Sequence, residues 1–308
     1  MQVNIESAIN DLETVRDFLR WTTSRLNEAG VFLGHGTDDA WDESVALVLH
    51  VLHLPWDVDN RIMDSRLTLE EKRQVTDLVK QRVEQRVPLA YLTNTAWFAG
   101  LPFYVDSRVL IPRSPFAELI EKGFQPWVDV DSVHRALDLC TGGGCIGIAM
   151  ALSLPHAQID AIDLSSSALE VAQQNVDNHG VDDIVSLIKS DCFDALGAGQ
   201  SQYDLIVSNP PYVGGEEMAS LPAEYLKEPR LALASGDDGL DIVRRILSQA
   251  VDYLTDSGTL ICEVGNSDQA LEAAFPRVPF TWIDFEHGGH GVFIFTAKEL
   301  QQYRQEFI

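Results

Sequence analysis

Three consecutive glycines between two apolar runs, in "LDLCTGGGCIGIAMA", constrain this chain more than any other feature. The run before them reads as a strand and the run after them as a helix. Gly142, Gly143 and Gly144 permit a tight turn and a close approach of backbone to ligand. Gly142, Gly144 and Gly147 have the spacing of a nucleotide-binding fingerprint, and Asp163 lies 21 residues beyond Gly142 at the end of the next apolar run. A carboxylate there can accept from ribose hydroxyls. A plain strand-to-helix turn is the alternative.

The alternation continues to the end of the chain. "RALDLC", "QIDAIDL", "IVSLIK", "YDLIVS", "GTLICEV", "FTWIDF" and "GVFIFT" read as strands, and 146–154, 165–178 and 238–253 read as helices. This predicts an α/β fold, a mostly parallel sheet covered by helices on both faces. Ligands of such sheets bind beyond the carboxyl ends of the strands, near the switch point.

The first ninety residues have a different period. Leu12, Val15, Leu19, Thr22 and Leu26 form one helical stripe, "DESVALVLHVLHLP" forms a second segment, and Thr68 with Glu71 can cap a third, lined by Val75, Leu78, Val79 and Val83. "WFAGLPFYVDSRVLIP", with turn residues at Gly100 and at Asp106-Ser107, reads as a β-hairpin or a pair of short strands. The expected organisation is a small all-helical domain over 1–90, a β-hairpin linker over 91–115 and the α/β domain over 116–308.

Charge narrows the partners. With 22 Lys+Arg against 47 Asp+Glu, the net charge of −25 argues against a general affinity for nucleic acid or an anionic membrane. It favours basic or neutral partners, an acidic surface that merely aids solubility being the equal alternative. Cys140, Cys145, Cys192 and Cys262 lack metal-site spacing, and so do the eight histidines; "HGGH" reads as a turn before the last strand. No metal site is expected. The acidic, amphipathic start is unlike a secretory signal, and no apolar run approaches a membrane span. A cytoplasmic protein is expected.

Two further strand ends carry chemistry. In "KSDCF", Asp191 can accept from an adenine amino group, with Cys192 and Phe193 flanking the ring; a solvated helix cap is the alternative. In "DLIVSNPPYVGG" an apolar run stops at Asn209-Pro210-Pro211-Tyr212. Proline has no N–H and a fixed φ, and the residue before it is pushed to an extended conformation. A stiff backbone therefore presents the Asn209 side chain and the Pro210 carbonyl; a simple strand terminator is the bland alternative. The glycine loop alone leaves NAD and S-adenosylmethionine both open as cofactors.

Taken together, "LDLCTGGGCIG", "AIDLS", "KSDCF" and "SNPPY" resemble the class I S-adenosylmethionine-dependent methyltransferases, and more narrowly the protein-glutamine methyltransferases. "VPLAYLTNTAWFAGLPFYVDSRVLIPR", "EPRLALASGDDGL" and "ICEVGNS" extend the resemblance from about Val87 to the end of the chain, and the helical N-terminal domain fits it too. One branch of that family acts on peptide release factors and typically reads PRPETE where this chain has "PRSPFAEL"; the other acts on the third large-subunit ribosomal protein and reads as here. The resemblance implies a Rossmann-like methyltransferase fold. It also implies S-adenosylmethionine as cofactor, with S-adenosylhomocysteine as product, and a basic ribosomal protein as substrate, a release factor being the alternative. The cofactor contacts it implies are Asp138, Thr141, Gly142, Gly143, Gly144, Cys145, Asp163, Asp191, Cys192 and Asn209. The substrate contacts are Asn209, Pro210, Pro211 and Tyr212, of which Asn209, Pro210 and Tyr212 are the catalytic group. Gly143, where many relatives have another small residue, should loosen the loop without moving its donors.

An amide nitrogen is a poor nucleophile because its lone pair is delocalised into the carbonyl. Two fixed acceptors, the Asn209 side-chain oxygen and the Pro210 carbonyl, can hold its two protons and aim the nitrogen, while Tyr212 packs over the flat amide. A nucleic-acid amino-group methyltransferase could use the same clamp but needs a basic groove. An NAD-dependent oxidoreductase leaves the Asn-Pro-Pro-Tyr turn without a role. A non-catalytic ribosome-assembly module is at odds with a complete set of site residues.

Overall fold

Side chains alternate between two cores along the strands of the α/β region. In the third strand Ala136 joins one buried cluster and Leu137 and Leu139 the other; in the sixth, Leu205 and Val207 face the first while Tyr203 and Ile206 face the second. A period of two with both faces buried is what a helix-covered parallel sheet demands. The computed structural model describes residues 3–37, 39–197 and 202–308. Its contacts divide the chain into two units, Met1–Ala96 with Pro222–Lys227, and Trp97–Leu221 with Glu228–Ile308.

The first unit holds α1 (Ile5–Asp11), α2 (Val15–Ala29), α3 (Ala40–Val51), α4 (Leu69–Glu84) and α5 (Leu89–Thr93). The stripe expected to run unbroken from Leu12 is interrupted. Thr14 caps α2 in a reciprocal box with Asp17, which leaves Leu12 as the C-cap of α1. The box satisfies backbone donors that a continuous helix would have bonded to its preceding turn. Val15, Leu19, Thr22 and Leu26 are buried on α2, and Thr68 with Glu71 caps α4 as expected. Phe18, Leu47, Val48, Val75 and Val79 fill the core between these helices.

A charged network lies inside this unit. Arg82 Nε donates to Glu43 Oε1 at 2.6 Å, Nη1 to Glu224 Oε1 at 3.1 Å and Nη2 to the Phe32 carbonyl at 2.7 Å. The Arg82, Glu43 and Glu224 side chains are only 1%, 4% and 3% exposed. Arg86 adds a second cation to Glu224 at 3.3 Å, so two arginines balance two glutamates.

Next in the chain, β1 (Ala96–Phe98) and β2 (Leu101–Phe103) pair around Ala99 and Gly100, both at positive φ, as a two-residue hairpin requires. Residues 104–115 carry no regular element and lead to α6 (Phe116–Glu121). The sheet of the second unit contains β3 (Arg135–Leu139), β4 (Gln158–Asp163), β5 (Val185–Lys189), β6 (Tyr203–Ser208), β7 (Leu254–Glu263), β8 (Thr281–Trp282) and β9 (Val292–Thr296). Their order is β5-β4-β3-β6-β7-β9-β8. The first five are parallel to their neighbours, and β9 and β8 pair antiparallel. Around them are α7 (Cys145–Ser153), α8 (Ser166–His179), α9 (Gly215–Ser220), α10 (Asp241–Gln249), α11 (Asp268–Ala274) and α12 (Ala297–Tyr303). The chain moves outward through β3, β4 and β5, then returns to the other side of β3 as β6. The β3/β6 boundary is therefore the switch point.

The helix expected from Asp238 begins at Asp241, because Gly239 takes a φ of +79° and its amide neighbour Leu240 donates to the Asp238 side chain. "HGGH" forms a bend ahead of β9. Among the described residues, no helix is long and apolar enough to cross a membrane, and no group of three His, Cys, Asp or Glu side chains could hold a metal ion.

Candidate active site

A cleft of about 1050 Å³, its open mouth included, lies over the carboxyl ends of β3, β4 and β6. Thr141, Gly142, Gly143 and Cys145 line it from the turn after β3, and Asp163 lines it from the end of β4. Asp191 and Cys192 contribute from the segment after β5, and Asn209 and Pro211 from the turn after β6. Four other expected residues stand behind the wall. Asp138 is fully buried, Pro210 is buried, Gly144 is the N-cap of α7, and Tyr212 is half-buried outside the cleft lining.

The glycine turn is held by acids. Asp163 Oδ2 accepts the Gly142 N–H and Oδ1 accepts the Ser165 N–H, both at 2.8 Å. Burial nevertheless raises the Asp163 pKa, against the pull of these two backbone bonds. Asp138 Oδ2 accepts from Thr141 Oγ1 and from the Gly147 N–H, while Oδ1 has no partner. Burial pushes its pKa up to about 7 although both bonds oppose the shift. Space is tight at Gly144 and Gly147, and Gly144 also takes a φ of +84°. A Cβ on Gly144 would sit 3.3 Å from Ala172 Cβ, and one on Gly147 3.1 Å from Asp138 Oδ2. Gly142 has nothing within 4 Å of such a position, so its open side belongs to the cleft. Cys140 and Cys192, both cleft-lining, take φ of 65° and 49°, a region costing side-chain-bearing residues about 1–3 kcal/mol.

The Asp191 end of the cleft departs from expectation in two respects. Phe193 is fully buried and stacked on Tyr253, with ring centroids 4.6 Å apart, so it belongs to the core and does not flank a ligand. Asp191 Oδ1 is bound by Arg245 Nη1 at 2.6 Å. Arg245 reaches it from α10, 54 residues away, and carried no local signal in the sequence.

The Asn209–Tyr212 turn is pinned at both ends. Ser208 Oγ donates to the Leu139 carbonyl at 2.7 Å, tying the end of β6 to β3. Val213 exchanges backbone bonds with Leu233 and Ser235. The Tyr212 carbonyl accepts from Ser267 Oγ at 2.8 Å, and Tyr212 Oη donates to Glu263 Oε1 at 3.0 Å. The Tyr212 ring lies against Gly265 so closely that a Cβ there would come within 2.6 Å. Among the described residues, nothing hydrogen-bonds the Asn209 side chain or the Pro210 carbonyl. Glu263 is itself buried, and desolvation raises its pKa to about 7 against bonds from Ser114 and Tyr212 and the charge of Arg113. The walls from 108–114 and 229–232 meet at Glu228, whose Oε2 accepts the Ile111 N–H and Arg113 Nη1.

The cleft brings together a glycine turn at the sheet's switch point, an acid at the end of β4 and an Asn-Pro-Pro-Tyr turn after β6, in a chain with a methyltransferase domain. The Methyltransferase small domain family matches residues 125–240. The fold is shared with the hMettl16 catalytic domain solved in complex with a MAT2A 3′UTR hairpin (TM-score 0.50, 17% identity, 74% of this chain and 81% of that one covered). Full-length similarity is more specific. A ribosomal protein uL3 glutamine methyltransferase of Francisella tularensis is 48% identical over 98% of this chain and 96% of its own length. One of Neisseria gonorrhoeae is 49% identical over 95% and 97%. The chain belongs to the ribosomal protein uL3 glutamine methyltransferase family.

Proposed function

We propose that this chain transfers a methyl group from S-adenosylmethionine to the side-chain amide nitrogen of a glutamine in ribosomal protein uL3. The observation that carries the reading is the Asn209–Tyr212 turn, fixed at both ends at the sheet's switch point with two acceptors left for a ligand, in a chain nearly half identical to enzymes of that name.

The cleft's chemistry fits the cofactor. Asp163 and Asp191 line it, and the Asp138 carboxyl with its unpartnered oxygen stands behind the glycine turn. Carboxyl groups here suit a cation carrying ribose hydroxyls and oppose a pyrophosphate, which favours S-adenosylmethionine over NAD. When bound, it supplies an electrophilic methyl group. Asp163 would hold the ribose, Asp191 the adenine amino group, and the turn from Thr141 to Cys145 the remainder. Asn209 Oδ1 and the Pro210 carbonyl would accept hydrogen bonds from the two N–H groups of the substrate amide and aim its nitrogen into the cleft; the nitrogen, made acidic by methylation, would release its one surplus proton to water. This is preorganisation, and no general base is required. Tyr212, held from behind, stiffens the turn and shields the amide from water.

The net charge of −25 supports long-range attraction to a basic ribosomal protein. The helical unit carries no catalytic motif, and we assign it to gripping that protein in the cytoplasm. The test offers purified uL3, a peptide release factor, naked RNA and free glutamine side by side with labelled S-adenosylmethionine, at low and moderate salt. Methylation of uL3, weakened by salt, is expected. Methylation of the release factor alone would overturn the substrate, and exclusive labelling of naked nucleic acid would overturn the amide chemistry.

A further inference from the structure

Glu263 has no part in the mechanism above, yet it is 4% exposed and its two carboxylate oxygens are both engaged. One accepts from Ser114 Oγ, 149 residues away in the chain, and the other from Tyr212 Oη, 51 residues away. It ends β7, next to β6, and its main chain is locked there. Val264 N–H donates to the Gly291 carbonyl at 2.7 Å, and a Cβ on Gly291 would strike the Gly265 carbonyl oxygen. A buried carboxylate on so stiff a support is an unusual neighbour for a turn that needs no acid. Burying it is costly unless its bonds serve a purpose.

We propose that Glu263 is a positioning residue of the amide clamp: its carboxylate anchors the Tyr212 hydroxyl and so fixes the far end of the Asn209–Tyr212 turn. β6 fixes the near end through Ser208. Without the Glu263 bond the far end keeps its backbone ties at Tyr212 and Val213, but the ring is free to turn about them, and a two-point clamp is sensitive to displacements of about 1 Å. The Ser267 bond to the Tyr212 carbonyl and the contact with Gly265 restrain the backbone and the ring face. The hydroxyl bond to Glu263 restrains the ring's direction. Ser114 holds the second oxygen, so the carboxylate cannot rotate away from Tyr212.

The inference rests on the clamp reading, and a double-mutant cycle separates the two. Methylation of uL3 is measured for wild type, E263M, E263Q, Y212F, the E263M/Y212F double variant and N209A, with cofactor affinity read by calorimetry and folding by thermal midpoint. E263M, which deletes both acceptor oxygens, and Y212F should each lower kcat about tenfold to a hundredfold, while KM for uL3 and cofactor affinity stay within about twofold. E263Q, whose amide oxygen can still accept from Tyr212 Oη, should keep most of the turnover. The double variant should be no slower than Y212F alone, because both changes remove the same bond. Losses that multiply, or a Y212F variant with wild-type kcat, would overturn the role of Glu263. If E263M fails to fold, Y212F alone still decides, since it keeps the ring and deletes only the hydroxyl. Wild-type turnover by N209A would instead overturn the clamp itself.

Discussion

The Asp163 carboxylate accepts the Gly142 N–H at 2.8 Å across 21 residues of chain, so the acid after β4 and the glycine turn after β3 are one assembly. Asp163→Ala should therefore cost more than a ligand contact. Loss of a charged acceptor is worth about 1.5–3 kcal/mol, about a tenfold to hundredfold drop in S-adenosylmethionine affinity, and the turn loses its tether as well. Calorimetry on a folded variant with unchanged affinity would remove Asp163 from the cofactor site.

Asn209→Ala should spare cofactor binding and lower turnover on uL3 by about 10²-fold or more, the usual cost of one preorganised polar partner. Near-normal turnover would mean that the reacting amide is held elsewhere.

Arg82→Ala should destabilise the helical unit by about 3–5 kcal/mol, because Glu43 and Glu224 would be left buried without their shared cation. Arg61→Ala, which removes an exposed partner of Asp59, should leave the urea midpoint unchanged. Equal midpoints for the two variants would mean that the buried network does not hold this unit.

Stability should fall as pH rises from about 4 to 7. Burial lifts Asp138 from 3.8 and Glu263 from 4.5 to about 7. Across that interval the folded chain holds protons that the unfolded chain has released, so the slope is negative. Glu118, held near 2 by backbone N–H groups of Glu286 and His287 and by Lys122, acts with opposite sign, but only below its ordinary value of 4.5. Asp138→Asn should flatten the profile of thermal midpoint against pH between 5 and 7. An unaltered profile would place the Asp138 titration outside this range.

Much of the lining of the candidate cleft was legible because its signals are local. The glycine turn, Asp163 and the Asn209–Tyr212 turn each announce themselves through strand ends, spacing and proline chemistry. Arg245 and Glu263 were not legible as partners, since each meets its counterpart more than fifty residues away and only the sheet order brings them together. Phe193 misled because an aromatic beside an acid looks the same in sequence whether it faces a ligand or Tyr253. The helical stripe misled at Leu12 because apolar spacing persists across the Thr14 cap. Helices α9, α11 and α12, of six or seven residues each, are too short to show a period.

Glu224 belongs, with Pro222–Lys227, to the helical unit, although the chain on either side of that segment belongs to the other unit. The chain thus passes between units at three points, not one. Such a unit cannot be gained or lost by a single end-to-end fusion of genes. A truncation that ended before Pro88 would strip Glu224 of both arginines and leave six residues of the methyltransferase loop without their native surroundings. Grafting the helical unit onto another methyltransferase would require transplanting the six-residue insert together with the N-terminal helices.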